Sequence, residues 1–347
     1  MTRKFLSLSI LLSAFLLSFS SMSFAAGADS EDGGEDPTSF IMHHIKDSHE
    51  WHFFNVGHTH VTLSLPVIVY SGDRGLEFFS SKDFQNLDTH KFGEEYAHEG
   101  YFIDSHDHMG RVDDASFTDL SITKNVAMML LVIAIVLTLA LSAAGHYKKH
   151  GAVAPKGAAS IVEPIVIFVR DEIAHSAIGP KYKKFVPYLL TLFFFIWIGN
   201  LVGLMPGAAN LTGNIAVTAT LAILTFIIVN VNGNKDYWKH VFMTPGVPIP
   251  LLLVIVPVEI IGLFTKPFAL MVRLFVAITA GHIVILAFIA LVFIFQSYTI
   301  GVVSTLMVTF INLIELLVAT IQAYVFTLFT AMYIGSAVAE HAHDEAH

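Results

Sequence analysis

One stretch limits the folds open to this chain more than any other: from Val247 to Phe295, 49 consecutive residues carry only three charges, on Glu259, Lys266 and Arg273. About 20 apolar residues in a helix cross a bilayer, so this run is too long for one perpendicular helix. It reads either as two crossings broken at Thr265-Lys266-Pro267 or as one long, strongly tilted helix preceded by a re-entrant piece. Other apolar runs lie at about 122–145, 185–205, 214–231 and 304–335. Counted as one crossing at about 249–295, the long run brings the total to five. The expected fold class is an all-α integral membrane protein of about five transmembrane crossings, including a long tilted antiparallel helix hairpin, with a small β-rich exported N-terminal domain.

Inside the long run Arg273 has Ala269, Leu270, Met271 and Val272 before it and Leu274, Phe275, Val276 and Ala277 after it. A guanidinium cannot be neutralised by losing its proton, and at the middle of a membrane helix it costs about 2.5–3.5 kcal/mol. A buried ion pair or a snorkelling side chain would be the bland explanation. The second half of the hairpin sharpens the choice, because Ile311–Gly335 carries Glu315 and Gln322 seven residues apart, on one helix face. The polar break Gln296-Ser297-Tyr298-Thr299-Ile300-Gly301 sets the reversal near residue 298. Residues equidistant from that turn then sit level, Arg273 beside Gln322 and His282 beside Glu315. The two layers are separated by about 13 Å, from a rise of roughly 1.5 Å per residue. One holds a permanent charge and the other two titratable groups, which is what passing protons to mid-membrane and holding a barrier there requires. Nine residues turn a helix by about 180°, so Arg273 and His282 should face opposite ways, and a partner for the arginine is expected outside this chain.

These residues carry a resemblance. PVEIIGLFTKP, RLFVAITAGHIVI and ELLVATIQAYVF, with PYLLTLFFFIWIGNLVGLMPG at Pro187–Gly207, resemble the subunit a family of F-type ATP synthases over about residues 122–336. That family is the membrane stator against which a ring of c subunits turns. The resemblance implies that Arg273 is the family's essential arginine and Gln322 the glutamine beside it. His282 and Glu315 fall where the family places a histidine and a glutamate, in the order of the mitochondrial form, and Glu259 falls at a family carboxylate position. Ala277 departs from the family's usual asparagine, so any hydrogen bond from that side chain is missing here. The implied partners are the c-subunit ring, the b-subunit peripheral stalk, the rest of the F0F1 complex and membrane lipid, with no nucleic acid and no cofactor.

Before the membrane part, Met1–Ala26 has Arg3 and Lys4, an apolar run from Phe5 to Phe24 and small residues near Ala25, the pattern of a secretory signal. An uncleaved first membrane helix is the alternative; both would export the residues after it. Residues 27–121 hold 19 Asp and Glu against 5 Lys and Arg, and 10 of the 18 histidines, so they supply most of the net charge of −9. GADSEDGGEDP at 27–37 reads as an acidic linker. His60–Tyr70 alternates Val61, Leu63 and Leu65 against Thr62 and Ser64, predicting a half-buried strand, and Leu76–Phe79 could return as a hairpin after the turn at Ser71-Gly72-Asp73-Arg74. The chain has no cysteine, so this domain folds without disulfides.

His58 and His60, and His106 and His108, lie two apart with Asp104 and Asp107 nearby, yet zinc needs three or four converging ligands. Solvated surface histidines are the plainer reading, also for the tail EHAHDEAH; no metal site is assigned. The loop 146–184 carries seven Lys and Arg against three acids, and Lys235 and Lys239 lie in a later loop. By the positive-inside rule these loops are cytoplasmic, which puts the N-terminal domain in the periplasm of an inner-membrane protein and, with five crossings, the C-terminus in the cytoplasm. Ser160–His175 reads as an interfacial segment or a contact for a stator partner, and Asn200 as a packing residue between helices. No G-x-x-x-x-G-K loop and no nucleophile–base cluster occurs, so the chain is expected to conduct ions without catalysing by itself. The competing idea is a metal or cation transporter with a histidine-rich capture domain, which Arg273 at mid-membrane disfavours because it repels cations.

Overall fold

A computed structural model describes residues 47–339, apart from 57–58, 86–91, 105–106, 114, 152, 154–158, 206 and 244–247. The expected signal segment, the acidic linker and the histidine-rich tail lie outside the described residues.

Among the described residues, short runs of β-branched and aromatic residues make seven strands at the N-terminal end: β1 (Glu50–Val56), β2 (Thr59–Ser64), β3 (Pro66–Ser71), β4 (Gly75–Ser80), β5 (Tyr101–Ile103), β6 (Met109–Arg111) and β7 (Phe117–Asp119). They form antiparallel pairs, β1 with β2, β5 with β6, and β3 between β4 and β7. The single strand expected over His60–Tyr70 is instead two strands in different sheets. Its break is at Leu65, whose N–H donates to the Ser81 hydroxyl and whose carbonyl accepts from the Ser81 N–H. Pro66, which cannot donate to a ladder, then opens β3, a position proline tolerates. The inward face depends on that break: Leu65, Val67 and Val69 are buried while Leu63 is 51% exposed. Val67, Val69, Phe84, Tyr101 and Ile103 form the core. Over it, the nearly buried Arg111 holds Asp73 through two hydrogen bonds of 2.9 and 2.6 Å and Asp113 at 2.6 Å. The Arg111 guanidinium keeps the Asp73 carboxyl well below the usual range.

The helices are α1 (Lys124–His150), α2 (Ala159–Phe168), α3 (Val186–Gly203), α4 (Ile215–Val231), α5 (Lys235–Phe242), α6 (Ile249–Phe295) and α7 (Tyr298–Val338). A π-helical turn, Val169–His175, continues α2. Among the described residues four helices are long and apolar enough to cross a membrane, and a fifth span results if α4 and α5, bent by 104°, count as one. Of the two readings of the long apolar run, the structure has the unbroken helix: α6 is 47 residues long, through Pro257 and Pro267. That is about 70 Å at 1.5 Å per residue, against a hydrocarbon layer of about 30 Å. The reversal is shorter than the expected polar break, because only Gln296 and Ser297 are non-helical; Gln296 takes a φ of 45° and the Gly301 N–H already bonds the Ser297 carbonyl.

The chain divides into two compact units. One comprises the N-terminal residues to Leu131, the segment Val202–Leu211 and the hairpin tip Gly281–Ile314. In it the Asp47 carboxylate accepts from the Asn125 N–H and the Thr123 hydroxyl at the start of α1, and the Trp51 indole N–H donates to the Gly207 carbonyl at 2.7 Å. The other comprises Val132–Leu201, Thr212–Ala280 and the chain from Glu315 onward. There Asn234 caps the end of α7, its N–H bonding the Ala337 carbonyl and its side chain the Val338 carbonyl, both at 2.8 Å. Those carbonyls would otherwise lack helical partners.

Candidate functional site

In the unit that contains Arg273, α6 buries Leu270, Leu274 and Ile278, the four-residue spacing that keeps one face inward. Arg273 lies about 100° off that line and is exposed, as is Val276 less than one turn further on. Its guanidinium stands over the ring of Phe329 on α7, 4.5 Å from the centroid. No carboxylate among the described residues forms an ion pair with it; the described ion pairs involve His49, Arg111 and Arg170. A cation over an aromatic face at an exposed site gains about 0.5–1 kcal/mol, less than the roughly 2.5–3.5 kcal/mol that the charge costs in the membrane. The ring steers the side chain but does not compensate the charge.

Seven residues earlier Lys266 repeats the arrangement, 5.7 Å from the Tyr333 centroid. A further seven residues back, half-buried Glu259 lies within electrostatic reach of Tyr237. Residues seven apart share a helix face, so Glu259, Lys266 and Arg273 form one stripe of α6. Gln322 is half-buried on α7. No hydrogen bond joins it to Arg273 among the described residues. Side chains lean toward the N-terminus of their helix. In this antiparallel pair that direction on α6 leads toward later residues of α7, which carries the guanidinium past Gln322 to Phe329.

Glu315 is treated in the opposite way: it is 3% exposed, on the buried face that continues through Ala319 and Ala323. Between Glu315 and Gln322, α3 grips α7. The Asn200 amide donates to the Ala319 carbonyl at 3.3 Å and accepts from the Thr212 hydroxyl at 2.6 Å, and the Trp197 indole N–H reaches the Thr320 hydroxyl at 3.2 Å. Asn200 is therefore a packing residue between helices, as its sequence position implies. Trp197, Thr320 and Phe329 do not stand out in the sequence, although Trp197 and Asn200 share a helix face by spacing, as do Gln322 and Phe329.

The other unit holds His282, half-buried, with Nε2 3.3 Å from the carbonyl of Gly203 in the last turn of α3. A carbonyl only accepts, so this bond places the ring proton on Nε2. Among the described residues no three His, Asp or Glu side chains converge as a metal would need; His58 and His106 lie outside the described residues.

A family described as ATP synthase A chain matches residues 126–335, and a domain of unknown function matches residues 40–128. ATP synthase subunit a of Chloroherpeton thalassium is 47% identical over 247 residues, 69% of this chain and 73% of the relative. Subunit a 2 of Prosthecochloris aestuarii is 39% identical over 326 residues, covering 92% of this chain and 85% of its own. Subunit a of an Anaeromyxobacter species is 38% identical over 343 residues, 92% and 76% respectively.

Proposed function

Since the chain belongs to the ATP synthase A chain family, we propose that it works as the multi-pass, proton-conducting stator of a rotary ATP synthase, with Arg273 facing the ring of c subunits. The observation that carries this reading is the exposed guanidinium of Arg273, surrounded by apolar surface and holding no carboxylate of its own chain among the described residues. A charge of that cost, left on an outer face, is matched by an acid that another chain brings past it. The b-subunit stalk and the soluble sector complete the complex, and phosphoryl chemistry belongs to the latter.

In this mechanism protons enter from the periplasmic side past His282 and Glu315 and reach a ring carboxylate. Rotation then carries them to an exit on the cytoplasmic side, where Glu259 is the candidate carboxylate. Arg273 favours the ionised acid by opposite-charge attraction and blocks direct leakage between the two half-channels; Gln322 helps to fix its environment. A proton crossing 100 mV releases about 2.3 kcal/mol, which a leak would dissipate. The positive loops support a periplasmic N-terminal domain and a cytoplasmic C-terminus at the inner membrane.

The chain has no cysteine, which makes a direct test available. Val276→Cys sits on the exposed surface beside Arg273. Paired with a cysteine on the outer helix of the c subunit in the intact complex, it is expected to cross-link to the ring. Reaction with stalk subunits or lipid-phase reagents alone would overturn the reading.

A further inference from the structure

The proton path leaves the exported domain without a task. We propose that this domain roofs the outer mouth of the access path, with Trp51 as a positioning residue that holds the loop between α3 and α4 over His282. The proposal rests on the relay role given to His282.

The five-residue segment from Asp47 to Trp51 forms a staple. At one end Asp47 accepts from the Asn125 N–H and the Thr123 hydroxyl, while the Ser48 carbonyl accepts from the Lys124 N–H, pinning the segment to the start of α1. His49, buried, lies 3.8 Å from Asp119 of β7. At the other end Trp51, 9% exposed, donates its indole N–H to the Gly207 carbonyl at 2.7 Å. A segment fixed at α1 therefore reaches across to the loop that leaves α3.

That loop is shaped to receive it. Gly207 has a φ of 77°, a conformation that a side chain disfavours, and it aims the carbonyl at the indole. The Met205 N–H bonds the Val202 carbonyl and the Ala208 N–H bonds the Met205 carbonyl, so the loop opens with two tight turns. It then folds back until Ala209 and Asn210 face Gly203, where a Cβ would meet the Ala209 carbonyl oxygen at 3.6 Å and the Asn210 Cα at 3.7 Å. Gly203 in turn offers its carbonyl to His282 Nε2. Trp51, Gly207, Gly203 and His282 make one continuous line of contacts within a single unit. A displacement of the loop at Gly207 is passed to the carbonyl that fixes the ring proton of the histidine.

The test uses the intact complex. Trp51→Phe keeps the aromatic body and removes the donor. Reaction of His282 with diethyl pyrocarbonate, read by peptide mass spectrometry on the detergent-solubilised complex, is expected to rise roughly two- to tenfold, the range that one lost hydrogen bond allows. Passive proton conductance of vesicles stripped of the soluble sector is expected to fall by a similar factor, with assembly unchanged. Gly207→Ala, which disturbs the same carbonyl and leaves Trp51 in place, is expected to do likewise and decides the matter if Trp51→Phe does not assemble. Wild-type labelling in the assembled variants overturns the proposal. Raised labelling with unchanged conductance also overturns the positioning role, and normal conductance in His282→Ala would then trace that failure to the relay reading itself.

Discussion

Replacing Arg273 by alanine separates two quantities that the structure keeps apart. On the side of stability, the variant loses the contact with Phe329, about 0.5–1 kcal/mol. It is relieved of a charge that costs about 2.5–3.5 kcal/mol in the membrane, and with no ion pair to a described carboxylate there is no partner charge left stranded. The balance favours the alanine, so the complex should assemble at wild-type levels. On the side of function, a guanidinium about 4 Å from a ring carboxylate at an effective dielectric of 20 is worth about 4 kcal/mol, close to three decades in an equilibrium or rate. ATP-driven acidification of inverted vesicles, followed by quenching of a pH-sensitive dye, should therefore fall below detection while subunit content stays constant. Pumping above about a tenth of the wild-type rate would refute the role of the charge. Loss of the complex from the membrane would refute the stability argument, showing that Arg273 holds the fold through contacts the geometry does not contain.

The ring beneath the guanidinium should matter less: Phe329→Leu removes about 0.5–1 kcal/mol of attraction, so a two- to fivefold drop in pumping is expected, and a complete loss would mean that the ring does more than orient the charge. Gly335→Ala puts a Cβ against the carbonyl oxygen of Ala177; overpacking of this kind costs about 1–3 kcal/mol, and the yield and thermal stability of the purified complex should both fall. In the N-terminal domain, hydrogen bonds from Arg111 hold the Asp73 carboxyl below its ordinary range. A depressed carboxyl stabilises the fold above its unfolded value of about 4 and loses that contribution as the pH falls further. Fluorescence of the buried Trp51 and protease resistance should therefore be level near neutrality and decline below about pH 4, whereas Arg111→Met should weaken the domain already at neutral pH; identical acid curves for the two proteins would contradict the assignment.

How far the residues reveal the structure depends on the range of the interactions involved. The ends of α6 were legible because the apolar run stops there, but its continuity was left open: prolines at 257 and 267 each cost a helical bond, while a break would leave still more backbone groups where no water can reach them. The strand boundary at Leu65 was not legible, since alternation continues through it and the reason for the break is Ser81, sixteen residues away. Arg273 and Glu315 stood out as charges in apolar runs. The Phe329 ring beneath Arg273 did not, because counting residues from the turn ignores the lean of side chains along a helix. The bond from Trp51 to Gly207 spans 156 residues and leaves no periodic trace.

The hairpin treats its two kinds of polar group in opposite ways, and the physics of each explains the difference. A carboxyl group can in general be buried, because taking up a proton removes its charge when desolvation becomes too costly. Arginine has no such escape. Burying it would demand a carboxylate from the same chain, and that pair, once made, would leave nothing for a passing acid to engage. The stripe Glu259, Lys266, Arg273 on α6 resolves this by turning its cations onto aromatic faces, which are too weakly attractive to compete with a carboxylate: about 0.5–1 kcal/mol for the ring against about 4 kcal/mol for the acid at contact. On the proposed mechanism, Phe329 would hold Arg273 in place between encounters and yield it at each one. A carboxylate introduced in its stead, Phe329→Glu, would capture the guanidinium permanently and should stop rotation as completely as removing the arginine does, in a complex that still assembles.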